Sequence, residues 1–141
     1  MRFAVLVKAN KESESGALPD PKLMAEMGKF NEELMKAGVI EFAEGLRPSK
    51  EGVRVHFSGN SRTVIDGPFS ETKELIAGFW IWKLNSQQEA IEWAKKCPNP
   101  HMGESEIEIR RIGEMEDFKE VMTKDHQERW VRMREELAQD K

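Results

Sequence analysis

The sequence has a single cysteine, Cys97, so no intrachain disulfide can form and a reducing, cytoplasmic setting is expected. It has no excess of positive charge: 22 Lys and Arg stand against 26 Asp and Glu, a formal net charge of −4. Phosphate backbones are repelled on average and no basic cluster offsets that, which argues against nucleic-acid binding. Long apolar runs are lacking too. The opening MRFAVLVKANKESE holds five apolar residues in succession and no small-residue cleavage site, so it reads as a strand rather than a signal peptide. No stretch approaches the length of a membrane span. The three histidines, His56, His101 and His126, show no metal-ligand spacing, and the glycines form neither a phosphate loop nor a dinucleotide fingerprint. No metal, cofactor, membrane or nucleic acid is therefore expected as a partner.

What is present points to one packed domain. At 141 residues the chain can bury roughly two-thirds of its unfolded surface. Its 38% hydrophobic content is low for a globular protein but too high, and too periodic, for disorder. Phe3 to Ala9 reads as a central strand, and NKESESGALPDP as a polar loop. Asp20 before Pro21 is a helix start, with Asp as cap and Pro in the first turn. Leu23, Met24, Met27, Phe30 and Leu34 then recur at spacings of three and four, and Gly38 ends the helix. Val39 to Leu46 reads as a strand carrying Glu41 and Glu44.

GVRVHFSGNSRTVID is a hairpin with Gly59-Asn60 as its two-residue loop. That loop pairs Ser58 with Ser61, Phe57 with Arg62, Val55 with Val64 and Val53 with Asp66. Alternation then puts Asp66 at the end of an otherwise apolar stripe, with His56 on the polar face. Gly78 to Leu84 is apolar on both faces, Phe79 and Ile81 on one and Trp80, Trp82 and Leu84 on the other, so both sides of that strand need cover. Ser86 and Glu89 form a capping box for a helix that buries Ala90, Ile91, Trp93 and Ala94 and stops at CPNP. Glu104 to Ile112 alternates as a half-exposed strand with Ile107 and Ile109 inward. From Asp117 the tail is helical, broken at Thr123, with Trp130, Met133 and Leu137 as a stripe suited to docking on a partner. The order predicts an α+β, ferredoxin-like two-layer sandwich with an inserted β-hairpin and a C-terminal helix. Residues 1–112 form the domain and 113–141 the helical extension.

DGPFSETKE, which joins the hairpin to the Trp-bearing strand, has two readings. In the structural one, Asp66 bonds backbone N–H groups of its own turn, Pro68 stiffens the corner and Phe69 plugs the core below. In the reactive one, Asp66 is an acid/base or ligand anchor with Glu71 and Lys73 as polarising partners, beside unpaired backbone N–H groups. Glu74, Arg62, Glu44 and Arg47 are then ligand-binding groups converging on the same cleft. Cys97, at a helix C-terminus where the dipole disfavours a thiolate, is a poor nucleophile. His101 reads as a surface-loop histidine, a ligand contact being the minority reading.

The segment VIDGPFSETKELIAGFWIW, the capped helix SQQEAIEWAKKCPNP, and the pieces KFNEELMKAGVI, AEGLRPS and ESEIEIR resemble the YCII-related proteins, in the branch named for the DGPF motif. The resemblance spans Met1 to about Ile112. It implies a homodimer, a dimeric α+β barrel in which two subunits pack sheet against sheet, with the tryptophan-bearing surfaces at the seam. Members include small enzymes proposed to use a histidine and an aspartate, and some relatives act on modified aromatic compounds. Two functions are then expected: a small-molecule binder or lyase/hydrolase-like enzyme with its cavity between the sheet and a helix near DGPFSETKE, or, since genes of the branch are often associated with bacterial alternative sigma factors, a non-catalytic accessory module with a regulatory protein partner. The wider family carries a histidine on the first helix. AEMGKF has none, so only the Asp66 half of such a pair is present here.

Overall fold

A computed structural model describes residues 1–139. In chain order it contains β1 (Arg2–Lys8), α1 (Lys11–Glu14), α2 (Pro21–Lys36), β2 (Ile40–Gly45), β3 (Val53–Ser58), β4 (Ser61–Asp66), β5 (Ile76–Lys83), α3 (Gln87–Lys96), β6 (Ile107–Arg111) and α4 (Lys124–Gln139). Single 3-10 segments lie at Ser49–Glu51 and Met115–Val121. Among the described residues no helix is long and apolar enough to cross a membrane.

Two compact units emerge, Met1–Arg111 and the residues from Ile112 onward. The first is built on a four-stranded sheet of order β2-β5-β1-β6 with every neighbour antiparallel. β1 and β2 both run antiparallel to β5, so they are parallel to each other across it, with α2 as their connection. β5 and β6 flank β1 in the same way, joined by α3. Two such split β-α-β units are the ferredoxin-like topology. The hairpin β3–β4 forms its own two-stranded sheet in the register expected from the Gly59-Asn60 loop, with Gly59 at φ +57°.

Local chemistry starts and stops the helices as expected. The Asp20 carboxylate accepts from the Lys22 N–H at 3.1 Å, Pro21 opens α2, and Gly38 leaves it at φ +71°. The Ser86 hydroxyl accepts from the Glu89 N–H at 3.2 Å, while the Glu89 carboxylate reaches back one residue further than a standard box, to the Asn85 N–H. The stretch expected to be a loop after β1 instead makes one helical turn, α1. Asn10 and Ser13 cap it reciprocally, each side chain bonding the other's backbone N–H. Along α2, Phe30 and Leu34 are buried, whereas Met24 faces solvent.

The core lies between the sheet and the two helices. Cross-strand partners Phe3 and Trp82, then Val5 and Trp80, point at Phe30, Leu34 and Ala90. Phe30 meets Trp80 and Trp82 edge-on at 6.0 and 6.2 Å. Each such fully buried side chain contributes roughly 1.5–3 kcal/mol of transfer free energy. This corrects one expectation: Trp82 is 0% and Trp80 4% exposed within the single chain, so these two indoles are not available for a subunit seam. The face opposite the helices carries Ala4, Leu6, Phe42, Phe79 and Ile81, all half-buried.

The second unit pairs the Met115–Val121 segment with α4. Thr123 caps α4 by accepting from the His126 N–H at 3.2 Å. Trp130 stacks on Phe118 with centroids 6.2 Å apart and carries Arg134 at 5.3 Å, so the tail's large aromatic is engaged within its own unit, while Met133 and Leu137 are exposed.

Candidate functional site

The DGPF corner is a docked seam rather than an open reactive turn. The Gly67–Pro68 peptide is cis, and Gly67 lies flat on the Ser49 turn. A Cβ built on Gly67 would stand 1.8 Å from the Ser49 carbonyl oxygen, so only glycine fits. The Gly67 N–H donates to the Gly52 carbonyl at 2.9 Å and the Phe69 N–H to the Ser49 hydroxyl at 3.0 Å. That hydroxyl donates in turn to Glu14, whose other carboxylate oxygen accepts from the Ser49 N–H at 2.9 Å. Three segments distant in sequence are thus stitched together through Ser49.

The structural reading of Asp66 does not describe this corner. Its carboxylate is exposed and makes no hydrogen bond or ion pair among the described residues, so it does not cap its own turn. Several of the backbone N–H groups expected to be free are occupied: beyond Gly67 and Phe69, those of Thr72, Glu74 and Leu75 donate to carbonyls within the turn. Phe69 is half-buried, not a core plug, and the Arg54 guanidinium lies 3.8 Å above its ring. Glu71 faces Arg54 at 3.7 Å, and Lys73 and Glu74 are exposed. Arg62 folds back on its own hairpin loop, donating to the Gly59 and Ser61 carbonyls at 2.8 Å each. These side chains do not converge on one cavity.

A cavity does exist, at the other side of the Ser49 turn. It measures about 630 Å³ and lies between α1, the first half of α2, the helix-facing side of the sheet, and the loop after α3. Its origin is a taper in side-chain size. Along β5 the helix-facing residues run Trp82, Trp80, Gly78, and their partners on β1 run Phe3, Val5, Val7. On β2, Ala43 sits beside Trp80 and Gly45 beside Gly78. One end of the layer between sheet and helices is therefore filled by aromatics and the other is hollow. Gly78 cannot simply be enlarged, because a Cβ there would approach the Glu44 carbonyl oxygen to 2.9 Å.

The walls are mainly apolar, from Leu23, Met27, Val7, Ala43 and Trp80. Two polar side chains in the walls have fixed orientations. Asn31 accepts the Trp80 indole N–H through Oδ1 at 2.9 Å. His101 places Nε2 2.8 Å from the Lys8 carbonyl. A carbonyl only accepts, so Nε2 carries the proton. The loop bearing His101 is knotted by Asn99: its Oδ1 accepts from the His101 N–H at 3.1 Å and the Ser105 hydroxyl at 2.5 Å, and its amide donates to Gly103.

Of the ligand-binding residues expected from sequence, Glu44 and Arg47 border this cavity. Glu44 pairs with Phe79, however, which puts its carboxylate on the opposite face of the sheet from Trp80. Arg47 is paired with Glu51 at 2.9 Å and is 69% exposed. Asn31 drew no notice in the sequence, and His101 read there as a surface-loop histidine with a ligand contact as the minority reading; both line this cavity. The available signal was the shrinking series Trp82, Trp80, Gly78, which marks where the core empties. Cys97 is inert, as expected: burial pushes its thiol up from 9.0 to about 12. Among the described residues no group of His, Cys, Asp or Glu is arranged to hold a metal.

Comparison with known proteins gives two matches. The model of the YCII-related domain matches residues 1–116. An uncharacterised protein of Rhizobium meliloti (strain 1021) is 29% identical over 115 residues, covering 79% of this chain and 92% of that protein.

Proposed function

The chain belongs to the YCII-related family, and on that premise we propose that it binds a small, largely apolar organic molecule in the cavity between α2 and the sheet. The observation that carries this reading is the hollow end of the core. A volume of about 630 Å³ falls within the range of ligand sites, and its walls are apolar with a few oriented polar groups. The pocket, framed by glycines at Gly45 and Gly78, opens to solvent, so a ligand can enter it and bury apolar wall that water now covers. Asp66 has no part in this site; His101 takes the polar role.

Two copies are proposed to pair through the face bearing Ala4, Leu6, Phe79 and Ile81. Its rim carries both signs of charge, with Arg2–Glu41 and Lys8–Glu108 each at 3.8 Å and Arg110–Glu108 at 3.4 Å. A rim of mixed sign is self-complementary under a two-fold axis.

The cavity reading is tested by filling the void. Ala43→Trp places an indole beside Trp80 at an exposed edge-strand position, where the fold has room for it. A compound present at a hundred times its dissociation constant stabilises the wild type by about 2.7 kcal/mol. Thermal scans against a set of small ring compounds should find hits that lose that stabilisation in Ala43→Trp. Hits that stabilise the filled variant equally would place binding elsewhere and refute the reading.

A further inference from the structure

Two side chains in the cavity wall have one hydrogen-bonding atom committed to the protein and one left over. Asn31 uses Oδ1 to accept from Trp80, which fixes the amide and leaves Nδ2 as a donor. His101 uses Nε2–H on the Lys8 carbonyl, which fixes the tautomer and leaves Nδ1 with its lone pair as an acceptor. Neither Nδ2 of Asn31 nor Nδ1 of His101 has a partner among the described residues. Both residues are half-buried in a wall that is otherwise largely apolar, and neither free atom is fully buried, so solvent meets each until a ligand displaces it and must then supply the partner itself. The scaffolding behind each is specific: a buried indole holds one, and the Asn99 knot holds the other.

We infer that the cavity recognises its ligand through this pair, Asn31 Nδ2 donating and His101 Nδ1 accepting. The ligand class is then a compact, mostly apolar molecule without negative charge that carries both a hydroxyl (or amine) donor and a carbonyl-type acceptor. A purely hydrocarbon ligand would leave both protein groups unmet. An anion would meet the His101 lone pair unfavourably, and Arg47, the cation bordering the cavity, is already paired with Glu51. The inference rests on the cavity reading above and specifies its chemistry.

Three matched probes separate the terms: 4′-hydroxyacetophenone offers donor and acceptor, 4′-methoxyacetophenone only acceptors, and 4-ethylphenol no carbonyl. Binding to the full chain is followed by NMR titration of backbone amides lining the cavity. The first probe should bind the wild type at least about ten-fold more tightly than either of the others. His101→Phe keeps the ring and removes the Nδ1 acceptor along with the Nε2 donor, so it should abolish the preference over 4′-methoxyacetophenone. Asn31→Asp keeps the acceptor for Trp80 and removes the donor, so it should abolish the preference over 4-ethylphenol. The dispersion of the amide spectrum reports whether each variant is folded. If the three probes bind the wild type equally at the cavity, the recognition pair is wrong while the cavity reading stands. If none shifts the cavity amides, or if the shifts cluster on the β3–β4 hairpin, both are overturned.

Discussion

Gly67→Ala is the most severe small change the DGPF segment can suffer, and its cost follows from the seam. The added methyl would lie 1.8 Å from the Ser49 carbonyl oxygen and 2.7 Å from its carbon, both backbone atoms that no rotamer change can move. The two segments must separate by more than an ångström, beyond hydrogen-bond reach for the Gly67 N–H on Gly52 and the Phe69 N–H on the Ser49 hydroxyl. Each such bond contributes about 1 kcal/mol net, and loosening Ser49 from the half-buried Glu14 carboxylate adds a similar amount. A loss of about 2–4 kcal/mol is expected in urea unfolding, together with faster amide exchange at Gly67 and Phe69. Asp66→Asn is the matched control. Its carboxylate is exposed and unpartnered among the described residues, so it should shift stability by less than about 0.5 kcal/mol. If Gly67→Ala is as stable as the wild type with unchanged exchange, or if Asp66→Asn costs as much as the glycine change, the corner is not held by the backbone seam.

Other outcomes follow from the same coordinates. Trp80→Phe should cost about 1 kcal/mol more than Trp82→Phe in equilibrium unfolding, because Trp80 donates to Asn31 whereas the buried Trp82 Nε1 has no partner among the described residues; equal costs would contradict that. Cys97, with its thiol pushed up from 9.0 to about 12, should have about a thousand-fold less thiolate near neutral pH than an ordinary thiol. Iodoacetamide should therefore label the folded chain far more slowly than the urea-unfolded chain, and similar rates would refute it. The same group makes stability fall at high pH: the folded state holds the proton longer, so its contribution is complete below pH 9 and lost between 9.0 and about 12. Cys97→Ala should flatten that decline, measured as the urea midpoint against pH. On the proposed pairing, wild type should sediment as a dimer and Ile81→Asp, on the sheet face opposite the helices, as a monomer of unchanged helicity; equal masses would remove that face as the interface.

Most of the fold was legible because it is written in local rules. Caps at Asp20, Ser86 and Thr123, the stop at Gly38 and the hairpin register all depend on residues within a few positions of one another. What failed was long-range or too short to show a period. α1 is a single turn with no apolar stripe, so nothing distinguished it from loop until Asn10 and Ser13 were seen to cap each other. Val53, Val55, Phe57 and Val64 share a face as alternation demands, yet all four are exposed, because alternation says which residues point together and not whether anything covers them.

That the cavity lies apart from most of the DGPF side chains has a sharper cause. Charge density drew attention to DGPFSETKE, but charged residues cluster where the chain turns through solvent, and Glu71, Lys73 and Glu74 are there for that reason. A binding cavity instead needs missing volume inside the layer between sheet and helices, and sequence shows missing volume only as small residues at inward positions. Gly78 is such a residue, two places from Trp80 on a strand otherwise filled by aromatics. Read as conformational permissiveness, that glycine says little. Read as absent bulk beside Val7 and Gly45, it locates the hollow, and the polar atoms bordering the hollow then define its chemistry. The two constraints on Gly78 reinforce each other: close approach of β2 forbids a side chain, and the forbidden side chain is the one that would have filled the cavity. A Gly78→Val variant should therefore push β2 off β5 before it closes the site, losing exchange protection at the Leu46 N–H, which donates to the Ala77 carbonyl at 2.8 Å. If that amide stays protected while the cavity closes, the glycine is there for volume alone.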